Sequence, residues 1–353
     1  MKGYPKAEEL FGVEKRSIPE AMTDFTQLSR TEWINLFENF NADLFDSVAG
    51  FTDHEWNRRS PYVGWRVRDV LVNITRAKVV NFHQLLDRAL NDNEVAPKEF
   101  DTFLRGEREI MQYRDMPVHR LLDAFMLESE RLMDRYRQMS DEEFMKPGWF
   151  FVGPMNVRGL LLTEFGDNVF HLRDMLQPNG KWQGLDASYT NPLTDWFMRE
   201  YRPAHFRAEQ AEGVTASILY RLSGVGGGAW TMIIEGQKCK VVKGIRQGYD
   251  VVIAADVEDL VALSLARSGT WPGGLVRGWQ RFIGSQRQTD TVARILHYLA
   301  FLDAMINRKV RFGGDKKLGI SINRKCFWHF YERTQMTSER IHRSRSMIQK
   351  VKV

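Results

Sequence analysis

The residues with the most chemical promise lie between Gly159 and Met175, where Glu164, Asp167, His171 and Asp174 recur at spacings of three and four. On a helix, that spacing stacks the four side chains into one stripe. A carboxylate and an imidazole one turn apart can hold a metal ion or pass a proton. They can equally be a solvated ion pair, and this stretch alone does not separate the readings. Leu161, Phe165, Val169, Leu172 and Leu176 run beside the stripe, which predicts a helix with one face packed into a bundle.

Three further amphipathic stretches are needed to bury that face. The first starts near Ser29, with Thr31 as the expected cap, and carries Trp33, Leu36, Phe37, Phe40, Leu44 and Phe45 inward. A second opens at Trp65 and presents Val67, Val70, Leu71, Ile74, Ala77 and Leu85, with Asn73 beside that face and Arg76 one turn on. A buried Asn is ordinarily a hydrogen-bonding structural residue. The third, Val118 to Met139, contributes Leu121, Leu122, Phe125, Met126, Leu132 and Tyr136. Four amphipathic helices with modest loops predict an up-and-down four-helix bundle over residues 29–185, after an N-terminal arm over 1–28.

Beyond Pro178, Pro192 and Pro203 the periodicity changes. Thr215–Leu222, Trp230–Glu235, Lys238–Val242 and Asp250–Ala255 read as strands, and Asp256 caps a helix from Val257 to Arg267. Further helices are expected at Leu275–Phe282 and Thr289–Met305, so residues 200–306 predict an α+β domain. The run Ser223 to Ala229 holds four glycines but leads into a strand. A dinucleotide fingerprint requires a helix there, so a hairpin loop is expected.

The chain has 353 residues, 43% of them hydrophobic and 27% charged, which gives enough apolar mass for two cores. Its first sixteen residues lack the apolar core of a secretory signal, and no apolar run is long enough to span a bilayer. Cys239 and Cys326 make neither a disulfide framework nor a zinc knuckle, and a cytoplasmic setting is expected. The glycosylation pattern Asn73-Ile-Thr75 is therefore read as fortuitous. Of the net charge of +5, about +10 lies from Arg308 onward, leaving the rest acidic. This basic extension, residues 307–353, interleaves Phe327, Trp328, Phe330 and Tyr331 with its charges. A helix docking its aromatics and solvating its charges is preferred there to nucleic-acid binding, which the tail keeps as an alternative.

The stretch Gly64-Trp-Arg-Val-Arg-Asp-Val-Leu-Val-Asn73 resembles the opening of the second helix in DinB-like bundles, closest to the mycothiol-dependent maleylpyruvate isomerase family. Phe51 to Trp56 is similar to that family's lead-in, and Asp167 to Asp174 to its metal-binding fourth helix. Tyr249 to Ala262 resembles the strand-into-helix signature of the sterol-carrier-like domains that follow such bundles. The resemblance implies a divalent metal, typically zinc, and a low-molecular-weight thiol of the mycothiol kind. It places Asp167 and His171 on the acidic and histidine ligand positions, and Asn73 where the family has its first histidine. Asn offers only a neutral oxygen, a poor zinc ligand, so the metal site is expected to be altered or lost. His83 is about 80° away from the Asn73 direction and is no substitute.

The expected function is a small-molecule isomerase or transferase of the thiol-dependent type, acting on an electrophilic or anionic substrate. Asp167 and His171 are the expected catalytic residues, Asn73 and Arg76 the substrate-orienting ones. The alternatives are a metal-independent acid/base enzyme using the same pair, or a non-catalytic binder of a small apolar ligand. The expected partner is a small molecule, with self-association left open.

Overall fold

The structure is a computed structural model that describes residues 24–61, 65–77, 82–92, 110–150, 153–264 and 304–327. The chain divides after Gly184 into two compact units.

The first unit is helical. Helix α1 (Arg30–Ala49) begins with a capping box: Ser29 accepts from the Glu32 amide while Glu32 reaches back to Ser29. Ser29 therefore caps the helix, not Thr31, because its extended backbone leaves the hydroxyl free to turn inward. Helices α2 (Val67–Ala77) and α3 (His83–Leu90) follow, then α4 (Val118–Gln138). Strands β1 (Pro147–Phe150) and β2 (Gly153–Asn156) lead into α5 (Val157–Leu176). Residues 78–81, between α2 and α3, lie outside the described residues.

Helices α1, α2, α4 and α5 form the expected four-helix bundle, with one difference in connectivity. Both α4 and α5 pack against α1 and α2, so the consecutive helices α1 and α2 stand diagonally, unlike the neighbours of a simple up-and-down ring. The apolar period specifies which face of a helix is buried, not which neighbour covers it. The chain between Gly50 and Arg66, including the capped turn Asp53–Trp56, is long enough to cross the diagonal.

All six apolar residues expected inside α1 are buried, and Phe37 stacks on Phe165 of α5 at 4.9 Å between ring centres. Arg30 donates to the Tyr136 and Arg137 carbonyls, tying the start of α1 to the end of α4. Helix α5 lies at the centre. Its apolar face is buried as expected, but so are Glu164, Asn168, His171, Arg173 and Asp174. The polar stripe is thus not a solvated face. Helices α1 and α2, with the short turn Asp141–Phe144 and β1, pack against α5 and leave it almost no exposed flank.

The second unit is α+β. Helix α6 (Ala187–Trp196) continues through a π turn, Phe197–Tyr201. Strands β3 (Thr215–Ser223), β4 (Gly228–Glu235), β5 (Lys238–Lys243), β6 (Val251–Asp256) and β7 (Val310–Gly314) form one sheet, in the order β5-β4-β3-β6-β7. The β3–β6 pair is parallel and the others antiparallel. The glycine-rich run is the β3–β4 hairpin loop. Gly226 has φ +78° and sits so close to α6 that a Cβ would meet Thr190 at 2.5 Å. Close packing explains this glycine, and the loop has no helix N-terminus to offer a phosphate.

Helix α7 (Val257–Ser264) starts at the expected cap, with the Glu258 amide donating to Asp256 Oδ1 at 3.0 Å. The helices expected at Leu275–Phe282 and over most of Thr289–Met305 lie outside the described residues. Beyond residue 306, β7 pairs with β6 in the same sheet and α8 (Lys316–Cys326) follows it. Val310 and Ile322 are buried while Arg311, Lys316 and Lys317 face solvent, so the helix expected in the basic extension forms, and the high charge of the stretch disguised only the strand before it. Phe327 is buried beside Phe206 and under the Arg202 guanidinium. Trp328, Phe330 and Tyr331 lie outside the described residues.

Candidate functional site

The site is built where α2 faces α5. The start of α2 is fixed by the Arg66-Val-Arg-Asp69 segment of the recognised motif. Asp69 is fully buried; it accepts from the Arg66 amide at 2.8 Å and pairs with the Arg66 and Arg114 guanidinium groups at 3.3 Å each. Arg68 donates to the Met116 carbonyl. A buried carboxylate is tolerated only with such partners, so Asp69 acts as a staple between α2 and the chain before α4.

One turn beyond Asp69, Asn73 meets α5. Its amide nitrogen lies 3.2 Å from His171 Nε2, and Asp167 Oδ2 lies 3.1 Å from the same nitrogen. Which end of the Asn73 amide faces the ring is an assignment from the hydrogen-bond pattern. Helix side chains lean toward the N-terminus, so His171 reaches back to Asp167 four residues earlier. On the other side of the ring, Nδ1 lies 3.9 Å from Asp174 Oδ2. His171 is 3% exposed, Asn73 is half-buried, and the Asp167 side chain is 33% exposed. Ligands would reach the imidazole along the Asp167 edge.

Asn73, Asp167 and His171 are thus brought together as expected. Arg76 follows Asn73 by one turn, with its guanidinium 4.3 Å over the Tyr113 ring. His83 lies elsewhere: Nδ1 is 3.0 Å from Arg135 and Nε2 is 3.8 Å from Glu128. Burial, then Arg135, lowers the pKa of His83. Asp69, Arg114 and Tyr113 were missed in the sequence. Only the charged pair opening an otherwise apolar helix hinted at Asp69, and nothing local marked the other two.

The donor atoms do not make a conventional zinc site. Around His171 Nε2 stand one carboxylate and one neutral amide, and among the described residues no group of three His, Cys, Asp or Glu side chains converges on one point. Zinc prefers nitrogen and sulfur with anionic oxygen, and an amide oxygen is a weak addition. What the arrangement can do unaided is move a proton at Nε2 beside a charge-balancing carboxylate.

The family model described as the mycothiol maleylpyruvate isomerase N-terminal domain matches residues 37–175, a span enclosing Asn73, Asp167 and His171. Over this span the bundle is similar to this DinB-like family. Among solved structures, a mycothiol-dependent maleylpyruvate isomerase is 13% identical, covering 70% of this chain and 94% of its own, with a TM-score of 0.48. YfiT from Bacillus subtilis, a probable metal-dependent hydrolase with an unusual four-helix bundle topology, is 15% identical. That match covers 48% of this chain and 97% of YfiT, with a TM-score of 0.37. No curated protein matches the sequence. Among the described residues, no helix is long and apolar enough to cross a membrane.

Proposed function

We propose that the bundle is a small-molecule enzyme of the thiol-dependent isomerase or transferase type, with His171 as its acid/base residue. One observation carries this reading: a nearly buried imidazole whose Nε2 meets Asp167 and Asn73 within 3.2 Å, from two packed helices of the bundle. The match to that family's model over residues 37–175 supports the reaction class. A low-molecular-weight thiol, when bound, would supply the nucleophile for addition to an electrophilic double bond. His171 takes the thiol proton at Nε2 and returns a proton as the cycle closes. Asp167 balances the positive charge the ring gains meanwhile. Asn73 fixes the ring from the opposite helix, and Arg76, steadied on Tyr113, offers its charge to an anionic substrate. A sterol-carrier-like second domain would serve the same small-molecule chemistry.

The test is a panel of unsaturated carboxylates incubated with and without low-molecular-weight thiols, using wild type and His171→Ala. The expected result is thiol-dependent consumption of at least one substrate by wild type alone. Consumption that is equal with both proteins would remove His171 from the mechanism. Absence of any thiol-dependent turnover across the panel would overturn the reaction class.

A further inference from the structure

We propose that the outward face of α8 is a binding surface for the phosphate backbone of a nucleic-acid duplex, read without regard to base sequence. The surface belongs to the sheet domain and does not depend on the role given to His171. Helix α8 is held to the sheet by one face. Gly319, Ile322 and Cys326 are buried, and Gly319 lies so near β6 that a Cβ would meet Val251 Cγ1 at 2.7 Å. Asn323 accepts from the Arg202 guanidinium at 3.3 Å, and the Cys326 carbonyl accepts from the Arg207 amide at 2.7 Å. With about 100° between successive residues, Lys317, Ile320 and Arg324 point away from that docked face, and Lys316 and Lys325 stand at its two borders. All five are exposed. Lys317 and Arg324 are two turns apart, about 10 Å along the helix.

The charge on this face is unbalanced. Among the described residues, none of Lys316, Lys317, Arg324 and Lys325 pairs with a carboxylate. The acids beside the helix are engaged elsewhere: Asp315 accepts from the Leu318 amide, Asp250 accepts from the Ser217 amide, and Glu209 meets Arg207 at 3.5 Å. The bundle treats its exposed cations differently. Arg131 reaches Glu128 at 2.8 Å, Lys146 reaches Asp92 at 2.8 Å, and Lys181 reaches Glu55 at 2.7 Å. Like charges crowded on one short helix repel one another, and a polyanion laid across them removes that cost. The sequence after Phe327 keeps the sign, with Arg333, Arg340, Arg343, Arg345, Lys350 and Lys352 against Glu332 and Glu339.

Two features choose the partner. A helix that lies on a membrane buries an apolar face in it. The apolar face of α8 is already used against the sheet, and Ile320 alone, 38% exposed, is left outside. A phosphate backbone needs only cations, and about 10 Å spans roughly three phosphates of one strand. The Asn323 amide, the group on α8 best suited to read adenine, is turned inward onto Arg202. Contact is therefore to the backbone, which positions a duplex without reading its sequence.

The experiment uses the full chain and a fluorescently labelled DNA duplex of about 20 base pairs, titrated by anisotropy at salt concentrations from about 50 to 200 mM. Binding is expected to weaken steeply with salt and to be the same for a second duplex of unrelated sequence. Lys317→Gln and Arg324→Gln should each make the slope of log affinity against log salt shallower by about one. Together they should lower the affinity at least about tenfold. Both residues are exposed, so the variants should keep the wild-type circular dichroism. Lys238→Gln removes a likewise exposed cation from β5, at the opposite edge of the sheet, and should change nothing. No binding at the lowest salt, or a double variant that binds as wild type does, would overturn the proposal. So would a strong preference between the two duplexes. Retention on phosphatidylserine vesicles in place of DNA would assign the face to a membrane and overturn it too.

Discussion

Each unit of the chain buries aspartates, and Asp195 and Asp174 are used differently. In the sheet domain, Asp195 is 1% exposed; Oδ1 accepts from the Trp230 indole at 2.9 Å and Oδ2 pairs with Arg199 at 3.3 Å. Both oxygens are taken by groups that hold the fold: the indole fastens α6 to β4, and Arg199 lies one turn on along the same helical run. In the bundle, Asp174 lies 3.5 Å from Arg173 and 3.9 Å from an imidazole whose far nitrogen meets the partly exposed Asp167. Burial of charge is common to both and is not the mark of a site. The mark is a polar chain that ends on a titratable atom near solvent.

This contrast is open to attack, beginning with the largest effect. His171→Ala should reduce thiol-dependent turnover by at least about a hundredfold while leaving folding cooperative, measured by initial rates beside circular dichroism. In the sheet domain the loss should instead be in stability. Asp195→Ala removes the carboxylate from Trp230 and Arg199 and should cost about 3 kcal/mol in urea unfolding, with turnover in the bundle unchanged under native conditions. Activity lost through Asp195, or a stability loss near zero, would erase the distinction.

Asn73→His sharpens the comparison from the metal side. A histidine there adds a second imidazole beside His171 Nε2 and Asp167. Protein purified without chelators should go from well below one zinc per chain to about one, read by atomic emission. A wild type already holding one zinc, lost in His171→Ala, would mean that the amide is an adequate ligand and the donor-set reasoning is wrong.

The smallest effect concerns Glu55, in the short turn Asp53–Trp56 before α2. The Lys181 hydrogen bond, then the Thr52 amide, hold its carboxyl down at about 2, below the ordinary 4.5. A depressed carboxyl stabilises the fold above its unfolded value, and that contribution disappears as the pH falls from about 4.5 toward 2. The Lys181 side chain is 44% exposed, so solvent screens the pair. Lys181→Ala should change the unfolding free energy by less than about 1 kcal/mol at pH 7 and by less still near pH 2.

The elements of both domains were legible wherever one face of a helix or strand is apolar and the other polar. The four bundle helices, the strands β3 to β6 and the Asp256 cap follow from that contrast. Over Val310 to Gly314, a high density of Lys and Arg nearby concealed a strand whose apolar residue Val310 nonetheless faces inward. On α5, the spacing left a solvated ion pair and a site both open, and the structure encloses the helix and buries its charges with it. Residue type reports the cost of burial, while the surroundings decide whether that cost is met.

For the site, spacing along α5 was sufficient to put Asp167 and His171 one turn apart, and local geometry requires them to meet. The motif around Asp69 set the family, and with it the place of Asn73. What the sequence by itself determined, then, is every relation carried by a single helix, because i, i+3 and i+4 contacts are fixed by the backbone. Only the tertiary structure decided that Asn73 on α2 reaches His171 Nε2, that His83 is occupied by Arg135, and that α1 and α2 stand diagonally. Those relations join residues tens of positions apart. They depend on which apolar face covers which, and the helical period does not encode that choice.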